Sequence, residues 1–280
     1  MVQVPRHGKF HFRIEDRIKR KMNNVILIGL VSFFADLSTE MVYPLIPLYL
    51  TTMFGATPAL VGLIEGIAES IASLLKVFSG YATDRYRKKK PIAFSGYAAG
   101  LVYKLILVIA ASWQSVLMAR VIDRFGKGIR TAPRDVLVSE SCNANNLGHS
   151  FGIHKALDMA GAAAGILIAF FIMTTWKGEY AYKQLFLLSC IPAIASLFMF
   201  LFIRETSRPC DMNEPLHLFQ GLKNLDARLK LYLVVVFLFT LGNSSNAFLL
   251  LRAGNVGFST ASVVLLYFLY NMVSSLFAVP

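Results

Sequence analysis

The chain is a succession of apolar stretches, each about as long as a bilayer is thick, and this confines it to a membrane. A spanning helix needs about 20 mostly apolar residues. Lipid tolerates only helices or closed barrels, because no water is present to pair with exposed backbone groups. Eight stretches qualify: 25–53, 59–83, 91–111, 114–138, 150–175, 185–203, 231–251 and 259–280. All exceed the length of a barrel strand, so the expected fold is all-α and membrane-embedded. Residues 185–203 and 231–251 carry no charge at all. Pro44 and Pro47 predict a bend or break near the outer end of the first stretch.

Composition agrees. Of 280 residues, 56% are hydrophobic and only 16% charged, against roughly 25% charged in soluble domains. A soluble, disordered or nucleic-acid-binding protein is excluded on that ground. Cys142, Cys190 and Cys210 lie far apart, without metal-ligand spacing, so neither a disulfide framework nor a zinc site is indicated. The basic N-terminus lacks a small-residue cleavage site and does not read as a signal peptide.

The net charge of +12 is concentrated between spans. Residues 1–24 hold seven Lys and Arg, 84–90 hold five and 204–230 hold five. On the opposite side, 54–58 and 112–113 hold none, 176–184 hold Lys177 and Lys183, and 252–258 hold Arg252. The positive-inside rule therefore places the N-terminus in the cytoplasm. The expected organisation is a basic tail (1–24), a six-helix half (25–203), a cytoplasmic linker (204–230) and two helices of a second half (231–280). Residues 215–229 could lie as an amphipathic helix on the membrane surface. An offset of 207 residues aligns Gly242–Asn246 with Ala35–Thr39, weakly, as an internal repeat would. On that register the chain stops where a second copy of Gly80–Lys89 would begin, which predicts a C-terminally truncated duplication.

Two motifs follow. Gly80-Tyr81-Ala82-Thr83-Asp84-Arg85-Tyr86-Arg87-Lys88-Lys89 resembles the G-x-x-x-D-R-x-G-R-R loop of the major facilitator superfamily of secondary transporters. It departs at Arg87, where the pattern has glycine, and uses lysine for the last two arginines. Arg120-Val121-Ile122-Asp123-Arg124-Phe125-Gly126 is similar to that family's R-x-x-Q-G-x-G element, with the Gln and the first Gly replaced. Phe33–Leu50 and Lys127–Asp135 resemble a bacterial branch, and the likeness covers residues 22–280. The resemblance implies a major-facilitator-type bundle and a cytoplasmic gate in which Gly80, Asp84 and Arg85 latch the two halves. Arg87–Lys90 read more simply as a topology signal.

Ionisable residues inside spans are costly and normally face a bundle interior or cavity. The first span has Asp36 and Glu40; the second has Glu65, Glu69 and Lys76, within about 40° at 100° per residue. In the fourth, Arg120, Asp123, Arg124, Lys127, Arg130 and Arg134 share an arc of about 120°. Lys104 stands alone, and His154, Lys155 and Asp158 open the fifth. With Asp135 these are eight cations against seven acids, the near-balance that buried pairing requires.

These residues predict a central cavity with an acidic wall and a basic wall. A carboxyl poised between desolvation and an arginine neighbour can load and release a proton; Asp36, Glu40, Glu65 and Glu69 are the carriers considered, tuned by Arg120 and Arg124. The bland alternative makes them structural ion pairs. Anion binding by Arg120 or Arg124 is a weaker reading, because Asp36, Glu40, Glu65, Glu69, Asp123 and Asp158 offset the basic stripe. A voltage sensor fits poorly, with Gly126, Gly128 and Pro133 in the helix and Asp123 interrupting the stripe. Gly161–Gly165 reads as a close-packing patch, His154 as a structural hydrogen bond to Asp158, and Asn243 and Asn246 as substrate or helix contacts.

No catalytic triad, phosphate-cradling loop or metal box is present in the sequence. The chain therefore reads as no enzyme and no ATP-driven pump, with no cofactor. The expected function is secondary active transport of a small organic solute by alternating access, proton-coupled, in a bacterial inner membrane, with export favoured over uptake. The alternative is a transport-inactive fragment or pseudogene product that needs a second chain. The partners expected are the bilayer, a small-molecule substrate and protons, and no nucleic acid.

Overall fold

A computed structural model describes residues 7–86, 89–142, 146–205, 225–242 and 244–276, with side chains from residue 22 onward except those of 84–86 and 275–276. The chain is all-helical over this range. Helix α1 (His7–Val42) runs into a 3-10 turn (Tyr43–Leu45) and α2 (Ile46–Phe54). Pro44 and Pro47 each fall at a helix start, where a missing N–H costs nothing. The expected break is there, with Pro44 and Leu45 buried among neighbours. Gly55 closes α2 at φ 61°, a left-handed position suited to glycine.

Six helices follow in hairpin succession: α3 (Pro58–Tyr86), α4 (Lys89–Val108), α5 (Trp113–Glu140), α6 (Leu147–Thr175), α7 (Gly178–Leu201) and, after the linker, α8 (Ala227–Leu241). Ser112 caps α5 by accepting from the Ser115 N–H at 3.4 Å. The last two are α9 (Asn246–Asn255), capped by Ser245, and α10 (Thr260–Leu276).

These helices make the eight expected spans. Five are long and apolar enough to cross a bilayer on composition alone: Met22–Phe54, Lys89–Val108, Leu147–Thr175, Gly178–Leu201 and Ala227–Asn255. The other three are α3 and α5, which carry the charged stripes, and the shorter α10. Three expectations need correction. The sixth span starts at Gly178, seven residues earlier than its apolar run. The seventh is not continuous: α8 ends at Leu241 and α9 starts at Asn246. Shifted by 207 residues, that break falls at 35–38, inside unbroken α1, so the repeat register does not align the two interruptions.

The third correction concerns Gly80–Tyr86, which form the last turns of α3 rather than a loop. Residues 87–88, most of the linker and Asn243 lie outside the described residues.

Glycines set the helix spacing. A methyl on Gly161 would collide with the Phe33 carbonyl, and one on Gly165 with that of Leu37, so α6 lies directly on α1. Gly96 and Gly126 face each other: a methyl on either would stand 2.6 Å from the other's carbonyl oxygen. At the bundle end where the basic segments lie, Asn24 donates to Ser141 Oγ (2.6 Å) and the Arg204 carbonyl (3.1 Å) and accepts from Arg204 N–H (3.0 Å). Lys90 donates to the carbonyls of Leu201 (2.9 Å) and Ile203 (2.7 Å), and Lys89 pairs with Glu140. No residue of α8 is buried.

Candidate functional site

The charged residues turn inward, and they divide into two groups by partner. The first lies between α3 and α5. Arg120, fully buried, donates through Nε to Glu65 Oε1 (2.9 Å) and through Nη2 to Oε2 (2.6 Å), and through Nη1 to Asp123 Oδ2 (3.2 Å). Arg124 Nε stands 3.2 Å from Glu69 Oε2 and 3.8 Å from Asp123 Oδ2. Both guanidiniums lie over the Tyr43 ring, 5.2 and 5.5 Å from its centre. Three carboxylates and an aromatic face supplied by the turn at Pro44 thus surround the two arginines. Arg120 is hydrogen-bonded to two of the acids, whereas Arg124 Nε is buried within ion-pair distance but without a hydrogen bond.

The second group lines a cavity of about 560 Å³ between α1, α3, α5, α6 and α10. Its acids are Asp36, Glu40 and Asp158; its cations are Lys76, Lys127, Arg130, Arg134 and Lys155. The size is that of a small-molecule pocket. Asp36 and Asp158 face the same cavity, and Asp158 Oδ1 is buried with no hydrogen-bond partner among the described residues. Lys155 holds the other oxygen of Asp158 at 3.0 Å, and Arg130 approaches Asp36 at 4.0 Å while covering the Tyr97 ring at 4.6 Å. Glu40 accepts from the Tyr267 hydroxyl on α10 at 3.2 Å.

The structure therefore separates residues that the sequence grouped. Glu65, Glu69, Arg120, Asp123 and Arg124 form the ion-pair lattice; Asp36, Glu40 and Asp158 face the cavity. His154 bonds to Ser32 at 2.9 Å rather than to Asp158. Lys104 is buried, donates to the Gly100 carbonyl at 2.9 Å and lies 5.2 Å from the Tyr103 ring centre. Gly80 meets no close neighbour, the nearest being Ala132 Cβ at 3.8 Å from an added methyl. The side chains of Asp84 and Arg85 lie outside the described residues. The sequence reading does not single out Tyr43, Tyr97 or Tyr267; Tyr43 has a signal in the adjacent Pro44, whereas Tyr267 lies on a helix without charged residues and has none.

A multi-span helical bundle with charges gathered around an internal cavity defines a polytopic membrane protein. The sequence model of the Major Facilitator Superfamily matches residues 28–280, and the chain belongs to that superfamily, which comprises transporters rather than enzymes. An uncharacterised MFS-type transporter of Methanocaldococcus jannaschii is 35% identical over 263 residues, 92% of this chain and 65% of the relative. A multidrug resistance protein of Escherichia coli is 23% identical over 77% of this chain and 53% of its own length. The structure of a bacterial homologue of the human drug peptide transporters matches with a TM-score of 0.61 at 14% identity, over 84% of this chain and 52% of that one. That likeness shows the fold. The chain spans about half to two thirds of the length of these relatives.

Proposed function

We propose that this chain serves secondary active transport of a small organic solute by alternating access, coupled to protons carried at Asp36 and Asp158. The observation that carries the reading is a buried Asp158 oxygen with no hydrogen-bond partner among the described residues, on a cavity that Asp36 also lines. A proton taken up by either carboxyl would supply a donor inside this cavity. A cavity that faces each side of the membrane in turn would load that proton on one side and release it on the other. Family membership supports transport, and the resemblance to a multidrug resistance protein favours export. Glu65, Glu69, Asp123, Arg120 and Arg124 hold the register of α3 and α5 in this reading, and Gly80, Asp84 and Arg85 close the cytoplasmic end.

The basic segments support an N-terminus in the cytoplasm, and the likeness to an Escherichia coli protein supports a bacterial inner membrane. They also support division into a six-helix unit at 25–203 and the beginning of a second unit after a linker at 204–230. The test is reconstitution in proteoliposomes with an imposed pH gradient and a mixed panel of small organic solutes read by mass spectrometry. At least one solute should move against its own gradient, and Asp36→Asn should abolish the movement. A correctly inserted protein that moves no solute in response to the pH gradient would overturn the reading.

A further inference from the structure

The cavity has more cations than its acids can pair. Arg134 has the adjacent Asp135 at 2.9 Å, Lys155 has Asp158 at 3.0 Å, and Arg130 has Asp36 at the long distance of 4.0 Å. Lys76 on α3 and Lys127 on α5 line the same cavity, and among the described residues neither has a carboxylate within 4.0 Å. On the α5 stripe, Arg120, Arg124, Arg130 and Arg134 each have a carboxylate within 4.0 Å, and Lys127, among the described residues, does not. Like charges lining one cavity repel one another, and a counter-anion relieves the repulsion.

The cavity is also lined by apolar side chains, Met159, Ala162 and Ala163 of α6 and Phe268 and Met272 of α10. An inorganic ion would leave them unused; an organic body would cover them. We propose that the cavity binds a small organic anion, with its carboxylate or phosphate head on Lys76 and Lys127, flanked by Arg130 and Arg134, and its apolar body against Met159, Phe268 and Met272. The transport reading enters only in taking this anion to be the transported solute; binding itself does not depend on it.

The experiment is titration calorimetry on the purified full chain in detergent, without any gradient, using benzoate, phenyl phosphate, inorganic phosphate, benzyl alcohol and benzylamine. Benzoate or phenyl phosphate should bind, and benzyl alcohol and benzylamine should bind at least about tenfold more weakly. Lys127→Gln and Lys76→Gln should each weaken the anion about tenfold at unchanged folded yield; both side chains face open space, so folding should be intact. Benzyl alcohol binding as tightly as benzoate, or benzoate binding untouched by both variants, overturns the proposal. Inorganic phosphate binding as tightly as phenyl phosphate overturns the organic body. Absence of anion binding alongside solute movement sensitive to Asp36→Asn sinks this inference alone, whereas anion binding with no such movement sinks the transport reading and leaves the site.

Discussion

Arg120 grips both oxygens of Glu65 along one edge of its guanidinium, at 2.9 and 2.6 Å, in a part of the bundle where the arginine is wholly hidden from solvent. Such a pair is weak evidence of net stabilisation, because desolvating both charges offsets their attraction. Breaking it is a different matter. Arg120→Met alone would leave Glu65 and Asp123 with surplus negative charge and should cost about 3–5 kcal/mol. Thermal unfolding in detergent should show that loss, and the double variant with Glu65→Leu should recover part of it. A single variant as stable as the parent would mean that the lattice does not hold α3 to α5.

Glu69 offers the internal control. Its side chain is 60% exposed although it pairs with Arg124 at 3.2 Å. Exposed pairs contribute about 0–1 kcal/mol, so Glu69→Gln should leave unfolding nearly unchanged. A loss as large as that for Arg120→Met would show that solvent does not reach this carboxylate.

The glycines of α6 permit a test without charge. Gly161 lies against the Phe33 carbonyl, and α1 cannot approach if a side chain intervenes. Gly161→Val should cost about 1–3 kcal/mol through forced separation of the helices, read as lost folded yield in size-exclusion chromatography. Gly80→Ala, whose methyl would meet Ala132 Cβ at an unstrained 3.8 Å, should fold as well as the parent. If its transport falls while yield is kept, the glycine acts in gating rather than packing.

How far the sequence discloses this molecule depends on which physical signal each feature leaves. Span length is written in apolar run length, and the 43–45 turn in Pro44 and Pro47. The 242–245 break has no proline; its signal is a glycine and a serine cap within an apolar run, too mild to outweigh the length of that run. The inward stripes of α3 and α5 follow from 100° per residue. Which acid meets which base does not, because that depends on the depth at which helices cross. Asp158 could as well have offset Arg134; its ion pair is with Lys155 instead, and the close contact of α6 on α1 at Gly161 puts it on the same cavity as Asp36. Tyr43 was unremarkable among many aromatics until its ring lay beneath two arginines.

Orientation has its own measurement. In a background with Cys142, Cys190 and Cys210 changed to serine, Lys177→Cys should react with a membrane-impermeant maleimide from outside intact cells. Asn23→Cys should react only after permeabilisation. Both positions are exposed and lie at opposite ends of the bundle. Reversed labelling would invert the assignment drawn from the basic segments.

Glu40 and Asp36 lie one helical turn apart on the same cavity, yet their partners differ in kind. Glu40 accepts a hydrogen bond from Tyr267, a neutral donor on α10, and Gln at position 40 can accept the same bond. Asp36 shares the cavity with Asp158 and its unpartnered oxygen, and Asn at position 36 replaces a group that can take up and release a proton with one that cannot. Glu40→Gln should therefore keep proton-driven flux within about threefold of the parent, a change of under 1 kcal/mol, whereas Asp36→Asn should uncouple it. Flux measured at several pH values in proteoliposomes decides between them: if Glu40→Gln uncouples and Asp36→Asn does not, the carrier is the carboxyl bonded to Tyr267, and the link between α1 and α10 becomes the element that proton binding moves.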